Sequence, residues 1–336
     1  MRKYLRKEIK ELKAYELVER EYRLKLDANE GIDWINGLNR YPLDRSDKVR
    51  ERLGEKLLVN SNKILVGNGS SELIELMMKA YLEAGQVVAS ISPTFSMYKI
   101  FTIIHKGNYL AYPLDNMESL NVDGFIEFIR EKKAKLVILS NPNNPTGTII
   151  KRQDIFKIIK SVDAMVVLDQ AYIEFADEQI SEEEMIDFDN LVVLRTFSKA
   201  IGLAGIRLGY MLANKETIDC INLVRSPYNV NTLSQEMALK ALSNDKLIRE
   251  NVMIIKKERE RMREYLEKNG IRPLPSSANF LFFKAPKYLY EGLLEKGILI
   301  RDFGPGLDGY YRLTLGSKSE NDLVIEAIEE VKNASS

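Results

Sequence analysis

Five polar segments in this chain hold residue types that do chemistry, and each follows a short apolar run. Behind Ile64-Leu65-Val66 comes Gly67-Asn68-Gly69-Ser70-Ser71-Glu72, whose glycines let a ligand approach the backbone. A helix beginning there offers free N–H groups to an anion such as phosphate. Ser90-Ile91-Ser92 runs into Pro93-Thr94-Phe95-Ser96-Met97-Tyr98, an aromatic face. Leu136-Val137-Ile138-Leu139 leads to Ser140-Asn141-Pro142-Asn143-Asn144-Pro145-Thr146-Gly147, more turn chemistry than a connection needs. Met165-Val166-Val167-Leu168 ends in Asp169-Gln170-Ala171-Tyr172, and a carboxylate at the end of a buried strand is costly unless a cation meets it. Leu191-Val192-Val193-Leu194 is followed by Arg195-Thr196-Phe197-Ser198-Lys199 and then, eight residues past the lysine, by Arg207. Apolar neighbours depress a lysine's pKa, and a depressed amine can form a Schiff base.

Each segment alone has an ordinary reading: a plain helix cap, core packing, a turn, a structural ion pair, a solvated lysine. Together they fit one ligand. A phosphate suits the glycine turn, a flat ring suits Phe95, a basic ring nitrogen suits Asp169 and an aldehyde suits Lys199. Pyridoxal phosphate has all four features.

The elements that must position these residues are legible in outline. Runs at 63–66, 86–91, 136–140, 165–168, 191–194 and 209–213 are short and rich in Val, Ile and Leu, as buried parallel strands are. Helical patterns at 71–84, 122–132 and 153–162 return the chain between them, so the expected class is α/β, a mostly parallel sheet flanked by helices. Ligands bind beyond the carboxyl ends of such strands, which is where the five polar segments fall. From Thr232 the pattern changes to long charged amphipathic helices, the second stopped at Asn269-Gly270. Strand-like NFLFF, GILIR and YYRLTLG and a last helix over 320–332 complete a smaller α+β domain. The expected division is a large cofactor domain at 29–226 and a small domain made of 1–28 and 227–336, with a charged N-terminal helix packed on the small domain.

Composition excludes other chemistries. One histidine, His105, and one cysteine, Cys220, build neither a zinc site of the His/Cys type nor an internal disulfide, and no metal is expected. His105 closes an apolar run, where a structural role is expected in place of a triad. The 336 residues carry 49 Lys+Arg against 49 Asp+Glu, so the basic field of a nucleic-acid binder and polybasic membrane attachment are both missing. No apolar run approaches the roughly 20 residues of a membrane helix, and the charged N-terminal pattern has no signal-peptide apolar core. A cytoplasmic protein acting on small molecules is expected.

With Asn-Pro-Thr-Gly at 144–147, Asp169 and Tyr172 three apart, and Ser198-Lys199 followed by Arg207, the sequence resembles the fold-type I pyridoxal-phosphate aminotransferases of class I and II. The likeness runs from LDANEG at 26–31 to RLTLG at 312–316. It implies a large domain with a mostly parallel seven-stranded sheet plus a smaller α+β domain. It also implies that Lys199 holds the cofactor and shuttles the substrate proton, that Asp169 pairs with the pyridine nitrogen, and that Tyr172 and Asn144 hydrogen-bond the ring's phenolic oxygen. Phe95 then stacks on the ring, and the phosphate is held by Ser70, Ser71, Thr196, Ser198 and Arg207. Tyr41 reaches that phosphate from the partner subunit of a homodimer. Arg312, Arg301 and Asn29 fall on the substrate side. Three positions depart from the family pattern: Gly31-Ile32 replaces Asn-Pro, Ser71 stands where Asp is usual, and Gln170 stands where Glu is usual.

The implied reaction is a ping-pong exchange in which glutamate gives its amine to the cofactor and a keto acceptor such as imidazole acetol phosphate takes it. Two alternatives share the fold: an aminotransferase for aromatic amino acids, and a lyase resembling threonine-phosphate decarboxylases. A non-enzymatic regulator built on this fold is disfavoured by zero net charge and the lack of an attached DNA-binding domain.

Overall fold

The computed structural model of the chain describes residues 2–14, 23–35, 37–42, 46–177, 182–186 and 188–335. Among them, seven strands form one sheet: β1 (Ile64–Gly67), β2 (Val87–Ser92), β3 (Asn108–Pro113), β4 (Leu136–Ser140), β5 (Met165–Asp169), β6 (Leu191–Thr196) and β7 (Gly209–Leu212). Their order is β1-β7-β6-β5-β4-β2-β3. Only β7 runs against its neighbours. Helices α1 (Asp47–Leu57), α2 (Gly69–Tyr81), α3 (Met97–Ile104), α4 (Val122–Glu131), α5 (Arg152–Ser161), α6 (Glu182–Ile186), α7 (Lys215–Asn222) and α8 (Thr232–Leu242) surround it.

The period of two along each strand decides which helices cover which face. Val166 and Leu168 of β5 point to a core shared with α1, α4, α5 and α8, whereas Met165 and Val167 point to a second core built with α2, α3 and α7. Continuing that alternation, Asp169 falls on the second face, beside α3. Strands β4, β5 and β6 are buried along their whole length, which explains their unbroken apolar sequence.

Three sequence expectations need correction. Strand β3 is absent from the apolar runs because it is an edge strand, partly exposed and built on alternating residues such as Tyr109 and Tyr112. The expected N-terminal helix is two short 3-10 turns, Arg2–Tyr4 and Lys7–Glu11, within the described part, and 15–22 lies outside the described residues. Those turns sit on the large sheet rather than the small domain. Tyr4, Leu5 and Ile9 are buried with α2 and α7, and the Arg6 N–H donates to Ala80 O at 3.0 Å. Three apolar side chains are too few for a helical stripe but enough to dock a turn in the α2–α7 groove. Helix α8 likewise packs on the large side, its Ala238 and Leu242 sharing a core with Val49 and Leu53 of α1.

The small domain holds α9 (Asp245–Lys268), an antiparallel sheet of β8 (Phe280–Lys284), β9 (Arg301–Asp302) and β10 (Tyr310–Thr314), and helices α10 (Lys287–Glu295) and α11 (Lys318–Ser335). On β10, Tyr311 and Leu313 enter a core with Met262, Leu293 and Ile328. Tyr310 and Arg312 therefore face the opposite way.

One glycine fixes the approach of β7 to the start of α2. A Cβ on Gly209 would lie 2.6 Å from Ser70 N, 2.9 Å from Gly69 C and 3.0 Å from Arg195 O, all of them backbone atoms that cannot swing away. Gly209→Ala should destabilise the fold by about 1–3 kcal/mol through overpacking. It should also weaken cofactor retention, because the displaced backbone is the helix start itself. Urea unfolding and equilibrium dialysis of the cofactor read the two effects separately.

Candidate active site

A cavity of about 540 Å³ opens at the carboxyl ends of the parallel strands and is lined by residues from all five polar segments together with the small domain. Its floor is Asp169, only 4% exposed at the end of β5. Oδ2 accepts from Tyr98 Oη at 2.7 Å and Oδ1 from the Ala171 N–H at 3.1 Å. Burial still raises the Asp169 pKa, with these two donors and the Lys199 charge pulling against it. Among the described residues the carboxylate has no ion pair, and a cation aimed into the cavity would favour its ionised form.

Tyr98 received no role from sequence. It sits at the start of α3, three residues after Phe95, on which it packs edge-on with centroids 5.5 Å apart. Spacing of three at a helix start places both rings on one face, a signal that was present in the sequence. Tyr98→Phe removes a donor that favours the carboxylate anion, so Asp169 should titrate at higher pH. The acid limb of the kcat/KM profile should move up by roughly one pH unit, and an unmoved limb would refute this role.

The opposite wall collects anion donors. Ser70 and Ser71 open α2, and Gly69, at φ +78°, leaves room for Arg207, whose Nη2 would be 2.8 Å from a Cβ there. Thr196 Oγ1 accepts from the Ser198 N–H at 3.1 Å, and Ser198 Oγ accepts from Arg207 Nη1 at 3.5 Å. Helix start, hydroxyls and guanidinium converge on one place, the arrangement that binds phosphate.

Between these ends stands Lys199, its Nζ 5.5 Å from the centre of the Tyr172 ring. Burial lowers its pKa first, and the charges of Arg312 and Arg207 lower it further, so its ammonium form is less favoured than that of an exposed lysine. The Tyr172 hydroxyl is pushed up to about 12, mainly by burial. From the small domain, Arg312 Nη1 donates to Asn144 Oδ1, while its buried Nε has no partner. Arg301 is the cross-strand neighbour of Arg312, and Phe303 lines the cavity beside both. Like charges facing each other across a sheet are destabilising unless an anion lies between them.

The cavity brings together Ser70, Ser71, Phe95, Asn144, Asp169, Tyr172, Thr196, Ser198, Lys199, Arg207, Arg301 and Arg312. Asn29 and Tyr41 do not line it. Asn29 is exposed, and Tyr41 is 55% exposed and stacked on Tyr228, with ring centres 4.6 Å apart. His105 ends α3 away from the cavity. Gln170 turns from the cavity into the protein, where Oε1 accepts from Arg195 Nε at 2.9 Å. Besides Tyr98, the sequence reading missed Phe303, which lines the cavity just past β9, and Phe280, which packs behind it against Tyr172 and Arg312. Among the described residues, no group of three or more His, Cys, Asp or Glu is placed to hold a metal, and no helix is long and apolar enough to cross a membrane.

The chain belongs to the family of class I and II aminotransferases, whose model matches residues 22–328, and is a pyridoxal-phosphate-dependent transaminase. Within that family it is 43% identical to the histidinol-phosphate aminotransferase of Thermoanaerobacter pseudethanolicus, over 97% of this chain and 98% of that protein. Its fold matches the histidinol-phosphate aminotransferase of Sinorhizobium meliloti in complex with pyridoxal-5'-phosphate, with a TM-score of 0.82 and 26% identity over 88% of this chain and 84% of that one. It also matches the L-threonine-O-3-phosphate decarboxylase of Porphyromonas gingivalis, with a TM-score of 0.76 and 26% identity over 88% and 91%.

Proposed function

We propose that this transaminase moves the amino group of L-histidinol phosphate to 2-oxoglutarate, giving imidazole acetol phosphate and L-glutamate, in histidine biosynthesis. The geometric support is the pairing of Arg301 with Arg312 on adjacent strands beside Lys199, two cations facing a cavity whose substrates carry phosphate or carboxylate. The likeness to histidinol-phosphate aminotransferases over nearly the whole chain points the same way. A cytoplasmic setting belongs to the same reading.

The residues present fit the cofactor. Asp169 is a buried carboxylate without a strong cation, which a ring N–H⁺ supplies, and the α2 start with Arg207 is a cradle for a phosphate. Bound there, pyridoxal phosphate supplies an electron sink for the substrate carbon that loses its proton. Asp169 would pair with the ring nitrogen and favour its protonated form, and the Tyr98 hydrogen bond favours the Asp169 anion. Asn144 and Tyr172 would hydrogen-bond the ring oxygen, and Phe95 would offer its face to the ring. Lys199, whose ammonium form is disfavoured by burial and by the charges of Arg312 and Arg207, would hold the cofactor and then move the proton at the amino-bearing carbon of the substrate. Arg312 offers its unpartnered Nε to an incoming carboxylate or phosphate, with a fork that lysine cannot imitate.

The reading includes a homodimer in which Tyr41 completes the phosphate site of the partner subunit. It is supported by the exposed position of Tyr41 outside its own cavity and by the exposed Leu26, Ile32 and Trp34 near it in sequence. Incubating the protein with histidinol phosphate and 2-oxoglutarate should release glutamate. Failure to transfer amine between these two would overturn the substrate assignment, and carbon dioxide release from threonine phosphate without a keto acceptor would favour the lyase.

A further inference from the structure

The large and small domains meet at a seam directly behind the cavity. Tyr172, Phe175 and Ala200 of the large domain and Ala278 and Phe280 of the small one form a single apolar cluster, with Ile255 of α9 packed on it. Phe280 is the shared wall. Tyr172 meets its ring edge-on at 5.2 Å, and the Arg312 guanidinium lies 5.2 Å from the same ring centre. A second contact joins the turn of Asn144, where Gly147 O accepts from the Ser277 N–H at 2.7 Å.

Arg259 of α9 closes this seam. It is only 5% exposed, yet its Nη1 donates to two neutral carbonyls: Phe175 O at 3.2 Å, three residues past Tyr172, and Ala278 O at 3.0 Å, two residues before Phe280. Its Nε donates to Glu260 Oε1 at 3.3 Å, at the rim, and its charge acts on Asp177. A buried guanidinium is retained at a cost unless its donors are met, and here the acceptors belong to different domains. Both Nη1 bonds form only when the turn at Phe175 and the segment leading into β8 stand in this relation.

We infer that Arg259 is a positioning residue for substrate binding, acting through Phe175 and Ala278 to set the small-domain Arg312 against Tyr172 and Lys199. This rests on the transaminase reading and adds a determinant outside the cavity. The proposed cofactor ligands of this chain come from the large domain, whereas the substrate arginines come from the small one. Loosening the seam therefore separates substrate affinity from cofactor affinity.

The test compares the holoenzyme with Arg259→Met, Arg259→Lys and, as a surface control, Lys287→Ala. Glutarate, which is glutamate without its amine, is titrated by calorimetry, and KM and kcat are measured for glutamate. Arg259→Met should raise the glutarate Kd and the glutamate KM by roughly tenfold or more, with kcat falling less, since small misplacements of positioning groups are costly. The cofactor absorbance spectrum and cofactor affinity should stay within about twofold of the parent, Arg259→Lys should recover part of the loss, and Lys287→Ala should match the parent. Unchanged glutarate affinity in a folded Arg259→Met protein overturns the assignment, and so does an equal loss of cofactor binding. Should the methionine variant not fold, glutarate affinity in Arg259→Lys decides, and parental affinity there overturns the assignment. A parent enzyme that transfers no amine from histidinol phosphate overturns the substrate assignment instead, while the glutarate titration still decides the role of Arg259.

Discussion

Replacing Lys199 with alanine should lower the rate of amine transfer by roughly four to six orders of magnitude, because it removes both the covalent anchor and the proton carrier in one change. No neighbour stands in. Among the described cavity residues, the other strong bases are Arg207, Arg301 and Arg312, and guanidinium does not exchange protons near neutrality. Tyr98 and Tyr172 hold their protons more tightly than ordinary tyrosines. The phosphate cradle is untouched, so the cofactor should still bind, though more weakly and without its covalent link. Single-turnover absorbance measures the chemical step and equilibrium dialysis the binding. A residual rate within a hundredfold of the parent would show that another group carries the proton.

Asp169→Asn should produce two effects of opposite sign. Activity should fall by roughly three orders of magnitude, because the neutral amide cannot keep a ring nitrogen protonated and the electron sink is lost. The cofactor-free protein should nevertheless become more stable. The folded pKa of Asp169 is raised above its ordinary value of 3.8, chiefly by burial. Such a group contributes stability below the unfolded value and loses it as pH rises through the folded value. Wherever the buried carboxylate is ionised without a ring cation to meet it, that charge costs stability that asparagine does not. Thermal melting of the cofactor-free pair should therefore place the variant above the parent at pH 7 and bring the two together in acid. With cofactor bound the order should reverse. A variant melting below the parent at pH 7 without cofactor would count against Asp169 as a group held at a cost to folding for function.

The seam between the domains gives the same lesson about allocation of stability. Arg259, Arg312 and Asp169 are charged groups placed where a purely stable protein would put apolar ones. Arg259 gives its Nη1 to a buried carbonyl pair and meets Glu260 only at its rim, whereas Arg312 and Asp169 await an incoming ionic group.

Residue type and local period were enough to read from sequence the α/β class and most strands of the large sheet, and to single out Lys199, Asp169 and the glycine turn, which line one cavity in the structure; the role expected of Arg207 came from the family resemblance. A buried parallel strand writes itself as an unbroken run of Val, Ile and Leu, and the polar residue that ends it must lie at the sheet's ligand-binding edge. Edge strand β3 escaped because one exposed side dilutes that signal. The N-terminal turns escaped because charge spacing resembles a helix whether or not a groove receives it. Only the tertiary structure decided that Tyr98 holds Asp169, that Arg301 faces Arg312, and that Arg259 joins Phe175 to Ala278, far apart in the chain. These contacts depend on strand register and on how two cores dock, which no local window encodes, because the same short sequences would be equally stable facing other partners.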